Sequence, residues 1–286
     1  MFNKYPHFLS SEIKNTPAEE ALFHVIPVPF EKSVSYGGGT KRGPSEILKA
    51  SSQLEVWDGQ SQPCEKGIHT YSPVNVKTPE SMIEETKEHV LAVLNQKHIP
   101  VLLGGEHTVS VGAFEALSQW DEPVGIVQID AHADLRDQYE GSPLSHACVM
   151  KRAYDLKLPF YQVGVRALSP EEVTLRQEAK LSFIDGRECW EQSITKIILP
   201  SEFPKKVYLT LDIDGLDPSL FSETGTPVPG GLGWYQTLSI IESVASQRKL
   251  IGFDLVELAP AKGQYAQSYA ASELVYKIMG IIERHI

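Results

Sequence analysis

The stretch Gly125-Ile126-Val127-Gln128-Ile129-Asp130-Ala131-His132-Ala133-Asp134 joins an apolar run to three ionisable side chains spaced two apart. In extended backbone, alternate side chains share a face. Asp130, His132 and Asp134 can therefore converge beyond the C-terminal end of one strand. Carboxylate plus imidazole suits Mn, Fe, Co or Zn better than Ca or Mg. Buried aspartates without a cation would be costly, so the run reads as part of a metal site.

Outward from it, short β-rich runs alternate with helix-like segments. Candidate strands are 22–28, 100–103, 125–129, 161–165, 181–184, 207–211 and 250–255. Several are nearly continuous apolar runs, as expected of strands covered on both faces. Glu80–Gln96 sets Met82, Ile83, Val90, Leu91, Val93 and Leu94 against Glu84, Glu85, Lys87 and Glu88, an amphipathic helix. Ser169-Pro170-Glu171-Glu172 opens another, with a serine cap, proline at the first position and glutamate at the third. Ser268–Glu283 reads as a closing helix. This alternation predicts a three-layer α/β/α fold around a mainly parallel sheet. No linker, repeat or low-complexity region interrupts residues 1–286, which read as one domain.

With 286 residues, 42 % of them hydrophobic, the chain has material for a large core. A formal net charge of −11 argues against nucleic-acid or anionic-membrane partners and suits a small cationic ligand. The 3 cysteines, with no C-x-x-C spacing, suggest neither a disulfide framework nor a thiolate zinc site. Neither a signal pattern nor a membrane-length apolar run is present, so a soluble cytoplasmic protein is the expectation. The glycine-rich stretches 36–40 and 225–231 lack nucleotide-binding spacing and read as loops.

Three further strands end in ionisable groups. Val101-Leu102-Leu103-Gly104-Gly105-Glu106-His107 leaves a histidine after a tight exit. Leu209-Thr210-Leu211-Asp212-Ile213-Asp214-Gly215-Leu216-Asp217-Pro218 places Asp212 and Asp214 on one face. It is not a calcium loop, because Leu216 stands where an EF-hand needs an oxygen and its glycine comes too early. Asp217 before Pro218 begins a turn. Gly252-Phe253-Asp254-Leu255-Val256-Glu257 brings a glutamate to a strand end, and Ser145-His146 lies in the loop after the opening run. Ligands of open α/β sheets bind beyond the carboxyl ends of the strands. His107, Asp130, His132, Asp134, Asp212 and Asp214 exceed what one cation needs, so a two-metal cluster with shared carboxylates is expected.

Gly-Gly-Glu-His at 104–107, Asp-Ala-His-Ala-Asp at 130–134, Asp-Ile-Asp-Gly-Leu-Asp-Pro at 212–218, Thr-Gly-Thr-Pro-Val-Pro-Gly-Gly-Leu at 224–232 and Asp-Leu-Val-Glu-Leu-Ala-Pro at 254–260 resemble the signatures of the ureohydrolases. This is the arginase/agmatinase family of binuclear manganese enzymes, and the similarity runs from about Pro27 to the C-terminus. The resemblance implies two Mn²⁺ per subunit. His107, Asp130, Asp134 and Asp212 would hold one, and His132, Asp130, Asp212 and Asp214 the other. A bridging hydroxide would attack the guanidinium carbon. His146 would shuttle a proton to the departing amine, Glu257 would pair with the guanidinium, and Asp134 would steady the tetrahedral intermediate. A homo-oligomer, trimer or hexamer, is also implied.

Within the family the loop 138–146 and Glu106 look most like bacterial agmatinases, so agmatine to putrescine and urea is the leading reaction. Arginases carry an asparagine two residues after the last ligand of the opening run; Leu135-Arg136 stands here. Arg136 is the residue expected to meet the substrate's tail, and a carboxylate-bearing tail would suit it. Further departures are Ser222-Glu223, Gly233-Trp234-Tyr235-Gln236, Ala266 and Tyr269. Guanidinobutyrate, arginine, formiminoglutamate and a non-catalytic metal- or polyamine-binding role stand as alternatives. A single-site zinc deacetylase would need only one Asp/His/Asp set.

Overall fold

The computed structural model describes residues 5–286. One 8-stranded sheet is built from β1 (Phe23–Val28), β2 (Ile68–Thr70), β3 (Ile99–Gly104), β4 (Val124–Ile129), β5 (Phe160–Val163), β6 (Ser182–Ile184), β7 (Lys206–Asp212) and β8 (Lys249–Val256). Its order is β2-β1-β3-β8-β7-β4-β5-β6, and every pairing is parallel. The expectation of a mainly parallel sheet thus becomes a wholly parallel one.

Alternation along the strands divides the core. Phe23, Val101, Leu103, Val127, Leu209, Leu211 and Phe253 pack on one face with α1 (Gly43–Ser51), α7 (Trp234–Ala245) and α8 (Ala266–His285). Ile26, Val28, Leu102, Ile126 and Tyr208 pack on the other, beneath α2 (Pro79–Asn95), α3 (Ser110–Gln119) and α4 (Val149–Asp155). A strand with both neighbours apolar gains roughly 1.5–3 kcal/mol per large side chain so buried, which is why these strands lack polar alternation. Among the described residues no helix is long and apolar enough to cross a membrane.

The expected helix starts are present. Ser169 Oγ accepts from the Glu172 N–H, and Glu172 Oε2 accepts from the Ser169 N–H at 2.7 Å, capping α5 (Pro170–Glu178). The same glutamate reaches outside its helix: Oε1 accepts the Leu135 N–H at 2.9 Å, tethering the loop after β4. The edge strand β2 and the short α6 (Gly186–Glu191) are not legible in the sequence, being too brief for any period to register. At the opposite end of the sheet from Asp130 and Asp212, His24 is fully buried. Its Nε2 lies 2.9 Å from His98 Nδ1 and its Nδ1 lies 3.0 Å from the Tyr71 hydroxyl.

Candidate active site

The sheet's register assembles the site. β3, β8, β7 and β4 are the central neighbours, and these are the strands whose ends carry the singled-out residues. Ile129 pairs with Leu211, which sets Asp130 level with Asp212; Asp212 pairs with Val256, which sets Glu257 one residue beyond. Glu257 N–H in turn donates to Gly105 O at 2.8 Å. Two glycines permit the approach of these ends. A Cβ on Gly105 would meet Phe30 O at 1.9 Å, and one on Gly215 would meet Asp130 N at 2.8 Å. Asp134 (φ 52°) and Glu257 (φ 65°) both hold the left-handed backbone that side chains avoid, a strain that clusters at functional positions.

Two His/Asp groups result: His107 with Asp130 and Asp212, and His132 with Asp130 and Asp214. His107 Nδ1 lies 3.0 Å from Asp134, 3.2 Å from Asp130 and 3.4 Å from Asp212. His132 Nδ1 lies 3.0 Å from Asp214 Oδ2 and 3.7 Å from Asp130 Oδ1. Asp130 therefore turns one oxygen to each group. Neighbours fix the carboxylates: Asp130 accepts the His132 N–H and the Gln128 amide, each at 2.7 Å. Asp214 accepts the Ala131 N–H at 3.1 Å, and Asp212 the Asp214 N–H at 2.9 Å.

The electrostatics fit a cation. Burial and then the Asp130 charge push Asp134 up to about 7. Burial, Asp214 and Asp130 raise Asp212 well above the carboxylate range. Burial would lower His132, but Asp130 and Asp214 outweigh it and lift the imidazole to about 11. Asp134 and Asp212 thus hold protons that a divalent cation would displace. His107 Nδ1, buried and aimed among three of them, has no hydrogen-bond partner of its own. A donor set of imidazole nitrogens and carboxylates suits Mn²⁺ and its transition-metal neighbours.

The remaining singled-out residues also reach the cavity. His107, His132, Asp134, His146, Asp212, Asp214 and Glu257 all line it. Glu257 Oε1 accepts the His107 N–H at 2.8 Å, and burial holds its carboxyl well above the usual glutamate range. His146 is lowered by burial, and its ring sits edge-on to Tyr139. Next to this cavity lies another of about 450 Å³, reached past His132, Asp134 and His146 and bounded by Arg136, Tyr139, Leu168 and Glu172. The Arg136 guanidinium stands 5.7 Å from the Tyr139 ring centre.

Several residues escape a reading of the sequence. Ser33 Oγ lies 3.1 Å from His146 Nδ1 and Ser35 Oγ 2.9 Å from His146 Nε2. Buried Glu106 accepts the N–H groups of Lys32 and Ser33, and the Ser33 hydroxyl at 2.7 Å, fixing that loop. Gly37 N–H donates to Gly225 O at 3.1 Å, so the two glycine-rich loops meet at the cavity, which Thr224 and Thr226 also line. Arg166 donates to the backbone oxygens of Asp214 and Val228, each at 2.7 Å. Serines and an arginine far apart in a polar sequence carry no period; only Glu106, beside His107, stands within a motif.

Fold and site together define an α/β enzyme built around paired His/Asp clusters. The chain belongs to the arginase family, whose signature matches residues 21–280, and is a ureohydrolase of that family. It is 37 % identical over 284 residues to the N(1)-aminopropylagmatine ureohydrolase of Synechocystis sp., covering 96 % of this chain and 92 % of that protein. It is 30 % identical to the agmatinase of Pyrococcus horikoshii, covering 96 % of each. The crystal structure of the agmatine ureohydrolase of Thermoplasma volcanium superposes with a TM-score of 0.84 at 30 % identity, covering 95 % of this chain and 94 % of the other.

Proposed function

We propose that the protein hydrolyses the terminal guanidinium of a cationic guanidino amine to urea and an amine, the substrate being agmatine or its N1-aminopropyl derivative. The observation that carries this reading is the pair of His/Asp groups sharing Asp130 at the floor of a cavity that also holds His146 and Glu257. His107, Asp130, Asp134 and Asp212 would hold one Mn²⁺; His132, Asp130, Asp212 and Asp214 would hold the second. Two such ions supply Lewis acidity and a nucleophile drawn from water at neutral pH. Glu257, with Oε1 committed to the His107 N–H, has its other oxygen for a guanidinium N–H. His146, held below its ordinary value by burial, would take up the proton lost by the attacking water and pass it to the departing amine nitrogen. Asp134 faces the same cavity and favours positive charge on the guanidinium carbon's substituents as that carbon becomes tetrahedral.

The second cavity, of about 450 Å³, adjoins the first at His132, Asp134 and His146 and offers space for a substrate tail. With the 37 % identity to an N(1)-aminopropylagmatine ureohydrolase, this favours the aminopropyl derivative over agmatine, the leading expectation from sequence. Arg136 lines the same cavity and is assigned to the substrate's tail, where its guanidinium repels an ammonium and attracts a carboxylate, so it is the feature that weighs toward guanidinobutyrate. The test is urea release by the Mn²⁺-loaded protein from agmatine, N1-aminopropylagmatine, guanidinobutyrate, arginine and formiminoglutamate. The highest kcat/KM is expected for the aminopropyl compound. A preference for guanidinobutyrate would reassign Arg136 to a carboxylate tail, and no urea from any compound with two metals bound would end the reading.

A further inference from the structure

We propose that Thr210 and Asp254 are positioning residues for His107, fixing which ring nitrogen it offers to a cation. The inference rests on the metal-centre reading above. Both residues are fully buried, and they are register partners on β7 and β8. His107 Nε2 lies 2.9 Å from Thr210 Oγ1, and Thr210 Oγ1 donates to Asp254 Oδ1 at 2.7 Å. A threonine hydroxyl has one proton. The carboxylate takes it, since Ser110 Oγ, at 3.5 Å, is too distant to compete. Thr210 then offers His107 only lone pairs. Nε2 must carry a hydrogen, and the lone pair stays on Nδ1, the atom aimed at Asp130, Asp134 and Asp212. Asp254 Oδ2 has no hydrogen-bond partner, and burial raises this carboxyl even though His107 and the Thr210, Ser110 and Tyr208 hydroxyls act against the shift. A buried carboxylate is costly unless it faces positive charge. A cation on His107 supplies that charge through the Thr210 hydroxyl. Metal-bound histidines are commonly oriented in this way, and losing such a partner weakens metal binding about 10–100-fold.

The experiment is a Mn²⁺ titration of the metal-free full chain, in parallel with Thr210→Val and Thr210→Ser. Valine keeps the shape and removes the hydroxyl; serine keeps the hydroxyl. The wild type should take two equivalents. Thr210→Val should bind one of them about 10–100-fold more weakly and keep the other, with some fall in metal-free stability because His107 Nε2 and Asp254 Oδ1 both lose a partner, and Thr210→Ser should restore the affinity. Unchanged affinities in Thr210→Val would overturn the inference alone, and no binding by the wild type would overturn the metal-centre reading with it. Equal loss of both equivalents with a matching fall in stability would reduce Thr210 to a packing role. A measurement needing no variant is long-range proton–nitrogen NMR of the Zn²⁺-loaded wild type. Metal on His107 Nδ1 with a retained Nε2 proton supports the assignment; metal on Nε2 overturns it.

Discussion

Asp130 spans the site toward His107: its Oδ2 lies 3.2 Å from His107 Nδ1, while its Oδ1 turns to His132. A carboxylate in that position serves both groups at once, so its loss should differ in kind from the loss of an outlying ligand. Asp130→Asn is expected to weaken both ions and leave less than one equivalent of metal. Asp214→Asn should remove only the ion held with His132. Each should lower kcat/KM for the preferred guanidino substrate on the order of a thousandfold, because Lewis-acid stabilisation is worth several kcal/mol and about 1.36 kcal/mol is a factor of ten. Metal analysis beside urea assays separates the two variants. Equal metal content would contradict the bridging role.

His146 is held by Ser33 and Ser35 rather than by any of the carboxylates, so it should act on protons and not on metal. His146→Ala is expected to lower kcat about 10²–10⁴-fold, the usual range for a lost general acid or base, while two equivalents of Mn²⁺ still bind. Loss of metal in that variant would make His146 a ligand.

The strand ends are legible because strands buried on both faces are apolar runs, and an ionisable residue directly after one has few other reasons to be there. Asp130, Asp212 and Glu257 follow this rule, and the sheet register then places them level. Helices with mixed faces are harder. The α3 segment Ser110–Gln119 is built largely from small residues, so its period is faint. The supports are illegible for a different reason. Ser33 is 113 residues from His146, and Thr210 is 103 from His107. Only the fold brings such pairs together, and a serine or threonine in sequence gives no sign of its partner. Glu172 reads as a helix cap from its spacing to Ser169, but nothing in that spacing foretells its second bond to Leu135.

That second bond makes Glu172 a stability test. The side chain is buried and satisfies N–H groups of both Ser169 and Leu135. Glu172→Ala removes a cap partner and leaves the Leu135 donor without its acceptor. The expected loss is about 2–4 kcal/mol of unfolding free energy, from roughly 1 for the cap and 1–3 for the orphaned donor. Denaturant unfolding measures it. Because the tether holds the loop after Asp134, KM for the substrate's tail should rise as well.

Cations that bind only the folded chain raise its stability by mass action. Mn²⁺ at a hundred times its dissociation constant should add about 2.7 kcal/mol per site, and a chelator should remove the gain. Thermal melts with Mn²⁺, with Mg²⁺ and with chelator check this. A gain from Mg²⁺ equal to that from Mn²⁺ would contradict the imidazole-containing donor set.

His24 sets a pH dependence remote from the metal groups. Burial, and then the neighbouring His98, push its imidazole down to about 4 from an ordinary 6.5. His69 and Tyr71 also face it, and no carboxylate is hydrogen-bonded to its ring. The unfolded chain protonates this histidine near 6.5, whereas the folded chain resists until about 4. Between those values the unfolded state binds the extra proton, so stability is full above 6.5 and falls as the pH drops toward 4. The loss reaches about 2–3 kcal/mol, because each tenfold difference in proton affinity between the two states is worth about 1.36 kcal/mol. His24→Phe cannot take up that proton. The stability difference between wild type and His24→Phe should therefore change by about 2 kcal/mol between pH 7 and pH 4.5, with the variant gaining on the wild type as acid is added. Taking the difference cancels the titration of the carboxylate cluster, which both proteins share. A difference that stays constant across the range would mean that His24 is protonated in the folded state as readily as in the unfolded one.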